Sequence, residues 1–286
     1  MASEWRLAGS RRYVRAVHPI EHLRYVARAH GVDPAALVEE TAHALGSMHF
    51  DPAGLVVACR RIVERHPFTG PLWWLCSTVA TSSEPFEAVW ELAEQVRADP
   101  TASELASALP DDGQVVTIGD PHTIAGGLAR RGDVRVLALD IDHSATSFVR
   151  KLERYDVEYE PVDAGAAGSV TRIADVVLIE ALALDAGRIV APSGSSTIAA
   201  AAQAWGTPVW LVAGVGRRLP TPFVDAMVSR RDALTADIDD WAIDVEIVPT
   251  QLVTHVVGPH GMVPMGPPAA QPECSVAAEL LRNVAM

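Results

Sequence analysis

Asp120, Asp140, Asp142, Asp163 and Glu180 each stand at or just after the end of a short apolar run that reads as a strand. In a parallel α/β sheet, ligands lie beyond the carboxyl ends of the strands. These carboxylates are therefore candidates for work on a ligand. One that is buried there with a raised pKa could act as a general acid or base, as enolisation chemistry requires. A structural cap or a solvated loop residue is the competing reading for each. A second candidate is the polar turn Pro192-Ser193-Gly194-Ser195-Ser196, which runs into an alanine-rich stretch stopping at Gly206. Helix N-termini offer unpaired N–H groups and the positive end of a dipole, so Ser193, Gly194, Ser195 and Ser196 could cradle a phosphate. A simple serine cap accounts for the same residues. Between Arg65 and Trp74, His66 and Thr69 could face a pocket, while Trp73 and Trp74 read as core. Ser195 with His122 and an aspartate is a poor hydrolase candidate, because no GxSxG elbow surrounds the serine.

The elements that must hold these residues fall into two patterns. From His18 to about Leu109 the apolar spacing is helical and predicts five or six helices. Asp33-Pro34 and Asp51-Pro52 pair a capping carboxylate with a proline suited to the first turn, and Ser83 with Glu87 marks another start. Asp99-Pro100 and Pro110 to Gly113 flank a last short helix. Beyond it, strands are expected at 115–118, 134–139, 157–162, 176–179, 209–212 and 245–248. Helices are expected at 121–130, 144–154, 168–173 and 196–205. That alternation implies a parallel sheet covered on both faces. The fold class is α/β, a helical N-terminal domain followed by a Rossmann-like parallel-sheet domain. Its divisions are a flexible arm at 1–16, a helical domain at 17–110, the α/β domain at 111–262 and a tail with a short helix at 263–286. The proline- and glycine-rich 258–272 reads as a loose wrap, with the helix at about 275–283.

Composition narrows the function. The chain has 286 residues, of which 49% are hydrophobic and 21% charged, enough for a large core. A formal net charge of -13 argues against a general nucleic-acid binder, which needs clustered basic residues. No run of about 18 uncharged apolar residues and no signal-peptide pattern occurs, so no membrane partner and a cytoplasmic location are expected. Cys59, Cys76 and Cys274 are widely spaced and the ten histidines form no ligand motif, so neither metal nor disulfide is expected. The sequence after the first strand, Gly119-Asp120-Pro121-His122, lacks the GxGxxG fingerprint, and no GxxxxGK[ST] loop is present. No cofactor is expected.

Several stretches in order resemble one family. Gly113 to Gly119, Val162-Asp163-Ala164, Ala174 to Ala181, Asp185 to Ala213 and Val245 to Gly258 are similar in content and spacing to segments of one group of proteins. That group comprises methylthioribose-1-phosphate isomerase, ribose-1,5-bisphosphate isomerase and the alpha, beta and delta subunits of translation initiation factor 2B. Arg65-His66-Pro67-Phe68-Thr69 lies near the family's RPTA motif, and the resemblance covers roughly residues 30 to 262. It implies a ligand cleft between a helical and a Rossmann-like domain, dimerisation through the C-terminal part, and a phosphorylated ribose or nucleotide ligand. Arg65, His66, Thr69, Gly119 and Ser193 to Ser196 then become the phosphate and substrate positions.

The departures bear on chemistry. The family's catalytic cysteine corresponds to Gly119, and the aspartate of its GAD motif corresponds to Leu182. The lysine of its NKxGT loop corresponds to Pro192. Leucine cannot transfer a proton. These losses favour a ligand-binding relative without the isomerase chemistry, partnered by a small phosphorylated metabolite and by itself in a homodimer or higher homo-oligomer. An enzyme with a relocated acid/base pair, Asp120 and Glu180, is the alternative, since each neighbours a lost position. A structural or regulatory subunit of an assembly is a third reading.

Overall fold

The computed structural model describes residues 33–48, 52–140 and 145–282. The arm expected at 1–16, the helical start at His18, the cap at Asp51 and the strand-end Asp142 lie outside the described residues.

Five helices come first: α1 (Pro34–Gly46), α2 (Pro52–Arg65), α3 (Gly70–Thr81), α4 (Pro85–Arg97) and α5 (Thr101–Ala108). Asp33 caps α1 as its sequence predicts, accepting the Ala35 N–H at 3.0 Å with Pro34 in the first turn. The start expected at Ser83 falls instead at Pro85. There the Ser82 hydroxyl accepts the Glu84 N–H, and proline supplies the first-turn geometry without a side-chain cap.

The remainder runs β1 (Gln114–Ile118), α6 (His122–Leu128), β2 (Arg135–Asp140), α7 (Ala145–Arg154), β3 (Tyr159–Asp163), α8 (Ala167–Ile173), β4 (Val176–Glu180), β5 (Ala183–Leu184), β6 (Arg188–Pro192), α9 (Ser195–Trp205), β7 (Val209–Val212), α10 (Thr221–Leu234), β8 (Val245–Pro249), β9 (His255–Gly258) and β10 (Gly261–Pro264). Seven strands form one sheet in the order β10-β9-β7-β4-β1-β2-β3, parallel throughout except for the β9–β10 hairpin. The side chains of β4 and β7 are buried along their whole length, as a parallel sheet covered by helices on both faces requires. This is the expected α/β class. Because β1 lies between β2 and β4, the winding reverses there, and the crevice beyond those strand ends is the switch point at which ligands bind in such sheets.

Three features depart from expectation. β8 does not join the parallel series, since β9 takes the place beside β7. It pairs antiparallel with β6, which pairs with β5 in a separate three-stranded sheet. Residues 214–244, to which the sequence reading assigns no element, contain α10. The helix expected at 275–283 is only a 3-10 turn, Ala278–Leu281, and the wrap before it is tied down: Ser77 donates to the Ser275 carbonyl and Arg218 pairs with Glu273.

One hydrophobic cluster joins α1 to α4, including Trp73 and Trp74, with Ala183, Val190, Phe223, Met227, Val245 and Leu280. The helical segment therefore shares its core with the small sheet, α10 and the tail. Among the described residues, no helix is long and apolar enough to cross a membrane.

Candidate functional site

The crevice is built on the chain immediately after β1 and β4. Gly119 leaves β1 at φ +78°, a left-handed turn that glycine makes without strain. A Cβ there would meet the Pro192 ring at 3.5 Å, so the end of β1 abuts the loop after β6.

Glu180, the last residue of β4, is buried and fully engaged. One carboxylate oxygen accepts the N–H groups of Thr123 (2.8 Å) and Ile124 (3.2 Å) at the start of α6. The other accepts the Thr123 hydroxyl (3.0 Å) and the Arg217 guanidinium (2.7 Å). Arg217 is equally buried and also donates to the Ala181 carbonyl. Glu180 thus fastens the end of β4 to the beginning of α6.

Asp120 sits in a different setting. Lys151 of α7 places its Nζ 2.6 Å from Asp120 Oδ1 and 3.2 and 3.3 Å from the two ring nitrogens of His122. His122 Nε2 is 3.8 Å from Asp120 Oδ2, and its Nδ1 is 3.9 Å from Asp33 Oδ1 at the head of α1. The Lys151, Asp120 and His122 side chains keep 20%, 26% and 23% of their surface exposed, so the cluster can meet a ligand. An ammonium, an imidazole and a carboxylate in contact can bind an anion or relay a proton.

The serine turn has its anion already. Gly194 turns the chain at φ +88° into α9, and the Glu246 carboxylate from β8 accepts the Ser196 N–H. The buried Ser195 hydroxyl donates to the Pro192 carbonyl at 2.7 Å, and the Ser193 N–H donates to the Asp244 carbonyl. The helix end is thus an anion site by its physics, filled by a side chain of the same chain.

The N-terminal candidates separate. His66 is buried, while Thr69 heads α3 without a side-chain cap, and the next N–H, that of Gly70, donates to the Leu182 carbonyl. Arg65 is exposed at the end of α2 and lines a cavity formed with α10 and the tail, whose lining contains no residue of the β1/β4 crevice. Of the other strand-end acids, Asp163 caps a 3-10 turn by accepting the Gly165 N–H at 2.7 Å, and Asp140 is half-buried at the end of β2. Among the described residues, no group of three His, Cys, Asp or Glu side chains is placed to hold a metal ion.

Sequence reasoning missed Lys151, Arg217 and Glu246. Arg217 and Glu246 carry no local signal, but Lys151 does: it is the only lysine among 23 Lys and Arg residues.

No family model and no curated protein matches the sequence. Solved structures share its fold. Translation initiation factor eIF-2B from Pyrococcus horikoshii OT3 superposes with a TM-score of 0.72 at 16% identity, over 88% of this chain and 98% of that one. The eIF2B beta subunit from Chaetomium thermophilum gives 0.63 at 15% identity, over 86% of each chain. The 5-methylthioribose 1-phosphate isomerase from P. horikoshii OT3 gives 0.62 at 14% identity, over 88% of this chain and 85% of that one. The architecture is that of initiation-factor 2B subunits and of this sugar-phosphate isomerase.

Proposed function

We propose that this chain is a ligand-binding member of that structural group, holding a phosphorylated ribose derivative or nucleotide beyond β1 and β4 without isomerising it. The observation that carries this reading is the state of Glu180. All its near contacts are internal, to Arg217, to Thr123 and to the backbone of α6, so the carboxylate nearest the lost catalytic position at Leu182 is committed to structure. Gly119 has no side chain to replace the cysteine that the resemblance implies. Lys151 and His122 supply the positive charge for a phosphate, and Asp120 holds Lys151 in place. The backbone of Gly119 and the 193–196 turn border the same crevice through Pro192.

A homodimer or larger homo-oligomer accompanies this reading, by analogy with the tetrameric beta–delta complex of C. thermophilum initiation factor 2B, and light scattering tests it. A second reading, an enzyme, is favoured by the 2.6 Å contact of Lys151 with Asp120, because such a pair beside a histidine can move a proton.

One experiment separates them. The protein is incubated with ribose 1,5-bisphosphate, 5-methylthioribose 1-phosphate and nucleoside monophosphates, following turnover by phosphorus NMR and the unfolding midpoint by calorimetry. We expect one of these ligands to raise the midpoint without turnover, as a ligand bound only by the folded state does by about 2.7 kcal/mol at a hundredfold excess over Kd. Lys151→Gln is expected to abolish the shift. Turnover lost in Asp120→Asn would establish the enzyme instead, and no shift with any phosphorylated ligand would leave a structural subunit.

A further inference from the structure

We infer that a second anion site lies about the cavity between the end of α2, α10 and the C-terminal tail, and that it takes a phosphomonoester bearing an apolar group. The cavity holds about 450 Å³, within the range of small-molecule sites. Arg65, Arg230 and Arg282 line it, one from each of the three segments. The other arginines of the described chain are mostly tied up: Arg97, Arg131, Arg135, Arg188, Arg217, Arg218 and Arg231 all form ion pairs. Among the described residues, none of the three in the cavity has a hydrogen-bond or ion-pair partner.

Helix polarity explains Arg65 alone, because a cation is favoured in the last turn of α2. It does not explain Arg230, in the interior of α10, or Arg282, beyond the last 3-10 turn. Three like charges brought to one cavity repel one another unless an anion joins them. Glu64 is the acidic residue in the lining, and one carboxylate leaves the balance positive. Guanidinium groups are flat forks that match phosphate oxygens, and three of them suit the three terminal oxygens of a phosphomonoester better than the two of a carboxylate. The rest of the wall is apolar: Pro67 and Leu280 contribute to it, and Trp73 is held by its indole N–H on the Pro67 carbonyl at 2.9 Å. A bare inorganic ion would leave that surface unused.

The inference is independent of the crevice described above. Its test is isothermal titration of the full chain at low salt with phenyl phosphate, benzoate and inorganic phosphate. Phenyl phosphate is expected to bind one per chain and at least about tenfold more tightly than either of the others. Arg230→Gln with Arg282→Gln is expected to weaken it by about a hundredfold, with the unfolding midpoint retained because both side chains are exposed. Arg61→Gln, an exposed arginine on α2 outside the cavity lining, should leave the affinity unchanged. No binding by the native chain, benzoate binding as tightly, or loss of binding in Lys151→Gln rather than in the double arginine variant would each overturn the proposal.

Discussion

Glu180 shows how a residue suited to acid–base work by type and position can be spent on architecture. Its partner Arg217 is as buried as it is, and removing one member of a buried pair strands the other charge. Arg217→Met is therefore expected to lower the free energy of unfolding by about 3–5 kcal/mol, measured by urea titration. A loss below about 1 kcal/mol would free Glu180 for chemistry. Gly119 is constrained by its backbone: with φ +78°, Gly119→Cys would place a β-carbon in the left-handed region at a cost of about 1–2 kcal/mol. Restoring the cysteine is thus opposed by the turn itself. The thiols present are quiet for a different reason. Burial, then the neighbouring Glu273 charge, pushes the Cys274 thiol up to about 12, and burial raises that of Cys76. At pH 8 the thiolate of Cys274 is scarcer than that of an ordinary cysteine by about a thousandfold. Ellman's reagent should accordingly find no fast-reacting thiol among these two in the native protein, and full reaction in guanidinium.

At the scale of elements, the N-terminus of α9 carries the sharpest prediction. An outside phosphate can reach the Ser196 N–H only by displacing the Glu246 carboxylate, which is both covalently local and like-charged. Glu246→Gln is expected to cost about 1 kcal/mol of stability and to raise phosphate affinity in the crevice, read by titration with ribose 1,5-bisphosphate. Unchanged or weaker affinity would remove this helix end from the site. A second clamp joins α5 to the start of β2. Arg131 pairs with Asp133 at 2.6 Å and donates to the carbonyls of Ala106 and Leu109, and Asp133 also accepts the Asp112 N–H. These bonds, that to Arg131 first, hold the Asp133 carboxyl well below its usual range. A depressed folded pKa adds stability above the ordinary value of 3.8 and loses it as pH falls through the folded one. Between pH 4 and pH 2.5, the urea midpoint should fall further in the native chain than in Asp133→Asn. The strands β1, β2, β4 and β7 were legible because each is an uninterrupted Val, Leu and Ile run ending at a polar residue, a pattern that burial on both faces produces. The β5–β6–β8 sheet was not legible. β5 is two residues long, and β6 lies within a stretch that reads as the approach to a helix. α10 escaped because its buried residues, Phe223, Val224 and Met227, make a short face between prolines and charges. Lys151 was visible as a lone lysine, yet its meeting with Asp120 and His122 depends on α7 and α6 packing side by side, which spacing does not encode.

At the scale of the whole molecule, the change from helices to strands near residue 110 is a change of pattern rather than of core. The residues of α3 pack with Phe223 and Met227 of α10, with Val190 of the small sheet and with Leu280 of the tail, all within one buried cluster. Leu75 is completely buried in that cluster. Truncating such a leucine removes its transfer free energy and leaves a cavity, for a combined cost of about 2–5 kcal/mol. If the helices and the sheet were stabilised separately, Leu75→Ala would loosen only the helices. Because they share a core, the same loss should reach amides in β4 and β6 as well as those in α3. Hydrogen exchange on the native chain and on Leu75→Ala distinguishes these outcomes: protection in α3 and β4 is expected to fall by the same factor, with a single urea transition for both. Undiminished protection in β4 would mean that the helical segment opens by itself. It would then carry the head of α1, where Asp33 stands beside His122, away from the crevice as a movable wall.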